Sequence, residues 1–188
     1  MARFVERIGD LLEADVDALT NTVNTMGVMG KGIALAFKGA FPENFEAYRT
    51  ACERGEVKLG EMFVFENRRD DGFAQLKLLE EHSGAGGVEP YNGVRKGPRW
   101  IVNFPTKRHW RAGSRMADVE SGLDNLYDVI RNRRIASIAV PALGCGLGGL
   151  DWGRVRPLIE RKLDDLDVEV HLYPPDAAVP SRALSRAH

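Results

Sequence analysis

The chain has 188 residues, of which 44% are hydrophobic and 28% charged, with a formal net charge of −1. That length suits one domain, or two at most, and the composition excludes a disordered chain and a generally basic nucleic-acid binder, while a local basic patch stays open. No apolar run approaches the roughly 20 residues of a spanning helix, the opening residues carry acids unlike a signal peptide, and two cysteines, Cys52 and Cys145, suit neither a disulfide framework nor a zinc site, so a cytoplasmic protein with no membrane contact and no metal is expected.

Arg3 to Ile8 alternates enough for a first strand, and Asp17 to Thr22 reads as a short second one that closes on Asn24. Three glycines in Gly27 to Gly32 precede a stretch in which Ile33, Leu35, Ala36 and Phe37 have helical spacing. Pro42 suits a first helical position, and the helix it opens should end at Gly55. Met62 to Glu66 and Arg99 to Phe104 are the next strands. Between them, Asn67 to Pro98 is polar, Gly-rich and poorly periodic, the character of a functional loop, with FAQLKLLEEH inside it as a strand or helical turn. Asp118 to Arg133 places Val119, Leu123, Leu126, Val129 and Ile130 on one face of an amphipathic helix. The apolar run Ser137 to Leu143 has the character of a buried parallel strand. A second Gly-rich segment follows, then Asp151 as N-cap of a helix through Leu163, and Val168 to Tyr173 as a last strand stopped by Pro174 and Pro175. Residues 1–175 are expected to form one domain and residues 176–188 a tail. The alternation predicts an α/β fold, a mixed, mostly parallel sheet with helices on both faces.

Both Gly-rich segments stand where a strand ends and a helix begins, the place where open α/β sheets bind ligands. Glycines let backbone N–H groups converge on an anion, and a helix start adds its own free N–H groups, so two such loops point to a diphosphate held between them. The first lacks P-loop spacing. The second, Gly144 to Gly149, matches GxGxxG but lies late in the chain, with no acid at the ribose-binding distance. Asp10 is an acceptor able to read an exocyclic amine, or else it caps a turn. Asn24 offers a donor and an acceptor to ribose hydroxyls, or else it makes an Asx-turn. Lys31 faces phosphate or solvent. Cys145, in a glycine nest, is more in keeping with a buried small residue than a reactive thiol. Lys107 becomes a nucleophile or acid/base only where burial or a nearby cation lowers its pKa. Arg99 to Arg115 holds five basic residues and no acid, interleaved with Trp100, Phe104, His109 and Trp110. Such a run suits phosphates and unpaired bases, with Arg108 and Arg111 for charge, Trp110 for stacking and Trp100 in the core.

GDLL (Gly9 to Leu12), NTVN (Asn21 to Asn24), GVMGKGIALAFK (Gly27 to Lys38), FPTKRHWR (Phe104 to Arg111) and PALGCGLGGLDW (Pro141 to Trp152), in that order, resemble the macrodomain family, and within it the antitoxin macrodomains that act on DNA. The resemblance runs from about Arg3 to Tyr173. It implies a three-layer α/β/α sandwich that binds ADP-ribose, as ligand or product with no further cofactor. It also implies a monomeric DNA ADP-ribosyl glycohydrolase that frees thymidine bases of single-stranded DNA and so reverses a toxin. Carried over position by position, Asp10 accepts from the adenine amino group with the Leu11 backbone beside it, and Asn24 faces the distal ribose. Gly30, Lys31, Gly32 and Ile33 form one wall of the cleft. Gly144, Cys145, Gly146, Leu147 and Gly148 wrap the phosphates from the other side. Lys107 falls at the lysine that lysine-dependent members require, and with Asn24 it forms the expected catalytic pair; Arg108, Trp110 and Arg111 are the expected DNA contacts. Three departures stand out. Gly148 occupies the place of the aspartate used by protein-directed glycohydrolases, which favours the DNA-directed subgroup. Asn67 to Pro98 is longer than the family pattern. Such antitoxins also carry a C-terminal toxin-blocking domain, so a piece of a longer protein or a stand-alone relative is expected. The alternative reading is a non-catalytic ADP-ribose reader, or a hydrolase of ADP-ribosylated glutamate esters on protein.

Overall fold

The computed structural model describes residues 1–67 and 97–175. Its strands are β1 (Arg3–Glu6), β2 (Ala18–Asn24), β3 (Phe63–Glu66), β4 (Trp100–Lys107), β5 (Ser137–Pro141) and β6 (Glu169–Tyr173). They form one sheet in the order β1-β6-β5-β2-β4-β3. Among the described residues only the β3/β4 pair is antiparallel. The helices are α1 (Gly32–Ala40), α2 (Pro42–Glu53), α3 (Met116–Arg133) and α4 (Trp152–Leu163), with a short 3-10 turn at Leu11–Glu13.

Strand side chains alternate between faces, and each face of β2 and β4 meets a different helical layer. Ala18, Val102 and Phe104 join a large core with Leu123 and Leu126 of α3 and Val155 and Ile159 of α4. Leu19 and Ile101 join Phe37 of α1 and Phe41 on the opposite face, and Val23 joins Tyr48 of α2 there. The result is a three-layer α/β/α sandwich. Helix α3 sits close to the sheet at Gly122, where an added Cβ would lie 2.3 Å from the Phe104 ring. Asp151 caps α4 by accepting from Gly153 N at 3.3 Å. At the opposite end of the sheet, Asp17 accepts from Ala136 N (2.9 Å) and Ser137 N (3.1 Å), tying β2 to the start of β5.

Several strand ends differ from the sequence reading: β5 stops at Pro141 rather than Leu143, and β2 runs through to Asn24 rather than ending at Thr22. β1 stops at Glu6 rather than Ile8, ahead of Gly9, whose φ of +121° turns the chain. β4 continues past Phe104 through Pro105 to Lys107. Proline is tolerated in this interior strand because β3 pairs with it only up to Asn103, and because the β2 register shifts between Val23 and Asn24. FAQLKLLEEH and the tail, residues 176–188, lie outside the described residues. Among the described residues no helix is long and apolar enough to cross a membrane.

Candidate functional site

The carboxyl ends of the parallel strands open into a cleft of about 1330 Å³. The β2–α1 loop lines one side with Val28, Gly30 and Lys31, and the β5–α4 loop lines the other with Gly144, Gly146, Leu147 and Gly148. Asp10, Leu11 and Tyr173 line the end over β1 and β6, while Lys107 and Trp110 line the end over β4. Of the residues expected to hold ADP-ribose, Asp10, Leu11, Asn24, Gly30, Lys31, Gly32, Ile33, Gly144, Gly146, Leu147 and Gly148 all line this one cleft.

Cys145 does not. Its N–H is used on Ala142 O at 3.1 Å and its side chain packs against the large core. Burial pushes its thiol pKa up to about 11, the opposite of an activated nucleophile.

Gly32 starts α1 at φ +56°, a left-handed conformation that favours glycine, and Lys31 precedes it without a side-chain cap. The first-turn N–H groups of α1 have no helical partner and so offer donors and a positive dipole end to the cleft. In the β5–α4 loop, Gly144 has φ +71° and its carbonyl accepts from Leu150 N at 3.0 Å. The two remaining cleft-lining glycines of this loop differ. A Cβ on Gly146 would meet nothing within 4 Å, whereas one on Gly148 would lie 2.3 Å from both Gly144 O and Ser114 Oγ. Backbone packing therefore excludes any side chain at Gly148 in this loop conformation, an aspartate included. Ser114 supports the loop by donating its N–H to Gly148 O at 2.9 Å.

Asn24 and Lys107 are cross-strand partners at the ends of β2 and β4. The Asn24 side chain is committed to its own loop. Its Nδ2 donates to Val28 O at 2.6 Å and its Oδ1 accepts from Met26 N at 2.8 Å. From α2, buried Tyr48 donates its hydroxyl to Asn24 O at 2.6 Å. Burial raises the Tyr48 pKa, so the phenol stays a donor. Tyr48 was not singled out by sequence reasoning, because an aromatic on an amphipathic helix reads as core. Lys107 Nζ donates to Leu147 O at 3.3 Å, which joins the end of β4 to the second glycine loop. Desolvation lowers the Lys107 pKa.

Arg108, Trp110 and Arg111 follow Lys107 and are exposed. His109 stacks on Trp110 with ring centroids 5.2 Å apart, and the Arg111 guanidinium lies 4.4 Å from the Trp110 ring centroid. Of these three expected DNA contacts only Trp110 lines the cleft. Trp100 is in the core, with the Arg99 and Arg133 guanidiniums against its ring. The loop after β4 is tied to the loop after β2, since Thr25 donates both its N–H and its hydroxyl to Arg108 O at 3.1 Å.

Comparison with known proteins gives consistent results. The family model for the macro domain matches residues 20–70 and 74–159. The chain is 48% identical over 176 residues to the DNA ADP-ribosyl glycohydrolase of Thermus aquaticus, a match covering 93% of this chain and 41% of that protein. The solved macrodomain of Mycobacterium tuberculosis DarG superimposes with a TM-score of 0.75 at 46% identity, covering 93% of this chain and 98% of that one. Thermosipho africanus DarTG, solved in complex with ADP-ribose, has a TM-score of 0.74 at 34% identity, over 92% of this chain and 42% of that one. The chain thus spans about two-fifths of the length of the DNA ADP-ribosyl glycohydrolases it matches. By sequence and by fold, it belongs to the macro domain family.

Proposed function

We propose that this chain binds ADP-ribose in the cleft and, as a hydrolase, removes it from thymidine bases of single-stranded DNA, reversing the action of a DarT-like toxin. The observation that carries the reading is Lys107, an amine in the cleft that burial makes less basic and that donates to the neutral carbonyl of Leu147. The names of the relatives support it, since the Thermus aquaticus protein is called a DNA ADP-ribosyl glycohydrolase. Asp10, at the far end over β1, is set to accept from the adenine amine, although one of its oxygens caps Leu12 N at 2.9 Å. The two loops supply N–H donors to the diphosphate between the ends. Asn24 holds the wall of the distal ribose pocket by fixing Val28 rather than by offering a free amide.

In this reading the anomeric carbon of the distal ribose lies beside Lys107. The neutral amine attacks that carbon, the bond to the base breaks with its electron pair going to the base nitrogen, and the ammonium so formed on Lys107 gives that nitrogen its proton. The sugar ring then opens, its oxygen leaving the carbon and taking the second amine proton, and water hydrolyses the resulting Schiff base to the free sugar and the amine. The test is incubation with ADP-ribosylated single-stranded DNA and, in parallel, with an ADP-ribosylated glutamate protein. Release from DNA and not from protein is expected. ADP-ribose binding without release from either substrate favours the reader, and release from protein alone favours the ester hydrolase. Borohydride added during turnover should trap a covalent adduct on Lys107. Turnover without an adduct assigns the lysine to proton transfer instead.

A further inference from the structure

Single exposed apolar side chains are ordinary, but several gathered at one opening mark a place where something binds. Three of them, Val28, Trp110 and Leu147, are 39%, 44% and 69% exposed and line the Lys107 end of the same cleft. They come from three different loops, and those loops are fastened to one another. Asn24 holds Val28 O, Thr25 holds Arg108 O, and Lys107 holds Leu147 O. The mouth is therefore formed before a ligand arrives. A diphosphate and a ribose present oxygens and hydroxyls, which have no use for a three-sided apolar opening. With the distal ribose beside Lys107, as in the reading above, the opening faces whatever is joined to that ribose.

We propose that Val28, Trp110 and Leu147 form a mouth that holds the nucleobase carrying the ADP-ribose, and that this contact selects a flat heterocyclic leaving group over a carboxylate. The inference rests on the DNA-directed reading above and adds the residues that recognise the base. Trp110 is kept in place by His109, and its ring carries the Arg111 guanidinium at 4.4 Å. An incoming base takes the place of that guanidinium on the ring, and Arg111, exposed beside Arg108, turns to the adjoining phosphate. Capture of the base and neutralisation of the backbone thus occur together. The base must be unpaired to enter, which fits a single strand and excludes a closed duplex.

The test uses binding, so that it does not depend on turnover. In a Lys107→Arg background, which removes the neutral amine and keeps a donor for Leu147 O, calorimetry compares free ADP-ribose, a single-stranded oligonucleotide bearing ADP-ribose on thymine, and an ADP-ribosylated glutamate peptide. The modified oligonucleotide should bind more tightly than free ADP-ribose. Adding Trp110→Ala should cut that advantage by roughly tenfold to a hundredfold, the size of a lost base–aromatic stack; Val28→Ser should cut it by less, and Trp110→Phe should keep most of it. The peptide should show no comparable loss. An advantage untouched by both substitutions, or an equal loss on the peptide, would overturn the proposal. Turnover of the same oligonucleotide by the unsubstituted chain judges the hydrolase reading separately: a binding advantage without cleavage keeps the mouth and removes the hydrolase.

Discussion

Lys107 and Lys162 show how differently one residue type is held in this chain. Lys162 donates to Asp124 at 2.6 Å and lies 3.4 Å from Glu120, and these acids raise its pKa. Lys107 loses solvent, donates to a carbonyl and has its pKa lowered. An ion-paired lysine keeps its proton, whereas a desolvated one releases it at a lower pH. With the folded-state pKa depressed, the neutral amine is populated below the pH at which an ordinary lysine would supply it. The expected kcat/KM for modified DNA therefore rises with pH through a limb whose midpoint lies below the usual lysine value of about 10.4. Lys107→Ala should lower turnover by roughly a hundredfold or more, and Lys107→Arg should do the same because guanidinium stays protonated. A steady-state pH profile checks both; an unchanged limb in Lys107→Arg would remove the amine from the chemistry. The lysine was legible in the sequence from its place in NFPTKRHW, and so was Asn24 from NTVN. The Asx-turn was there as the second reading of Asn24, and Met26 N donates to its Oδ1 as that reading requires. The bond from its Nδ2 to Val28 O was not legible, because it depends on how the loop folds back four residues on.

The β5–α4 loop holds two glycines that look alike in GCGLGGL and differ in space. Gly146 faces open cleft, so Gly146→Leu should abolish ADP-ribose binding by calorimetry while leaving Tm unchanged. Gly148 is pressed against Gly144 O and Ser114 Oγ, so Gly148→Ala must move backbone. It should lose ADP-ribose binding and also about 1–3 kcal/mol of stability, the usual cost of overpacking, measured by urea unfolding. The loop after β4 behaves differently again. Arg108 and Arg111 are exposed charges, and replacing both by alanine should flatten the salt dependence of single-stranded DNA binding by about 1.4 in log–log slope. Free ADP-ribose carries no long phosphate backbone and should show no such change. Strand and helix types were legible from periodicity for the elements that carry these loops, because each alternates or repeats cleanly. The end of β4 was not. Pro105 reads as a stop, and nothing local shows that β3 falls short of it or that β2 shifts register to accommodate it.

Across the whole molecule the two helical layers are attached differently. The α3/α4 face has one large apolar core, while the α1/α2 face has two smaller clusters. On that second face lies a buried set of asparagines. Asn103 of β4 donates to Asn44 Oδ1 of α2 at 2.7 Å and to Phe63 O of β3 at 3.2 Å. Its own oxygen accepts from Asn21 Nδ2 of β2 at 3.1 Å and from Asn44 Nδ2 at 3.4 Å. One side chain thus joins three strands to a helix, on the strands that carry Asn24 and Lys107 to the cleft. Asn103→Ala leaves several buried polar groups without partners, at roughly 1–3 kcal/mol each. With three partner groups affected, Tm should fall by at least roughly 6 °C, given about 2–4 °C per kcal/mol at this size. Because α2 also carries the Tyr48 hydroxyl to Asn24 O, the loosened layer should weaken ADP-ribose binding even well below the new Tm. Tyr48→Phe should weaken binding in the same direction with a smaller loss of stability, about 1 kcal/mol for one hydrogen bond. Thermal unfolding followed by calorimetric titration at low temperature separates the two effects. An Asn103→Ala protein that melts lower but binds ADP-ribose as tightly as the original would show that the asparagines hold the layer together without shaping the cleft.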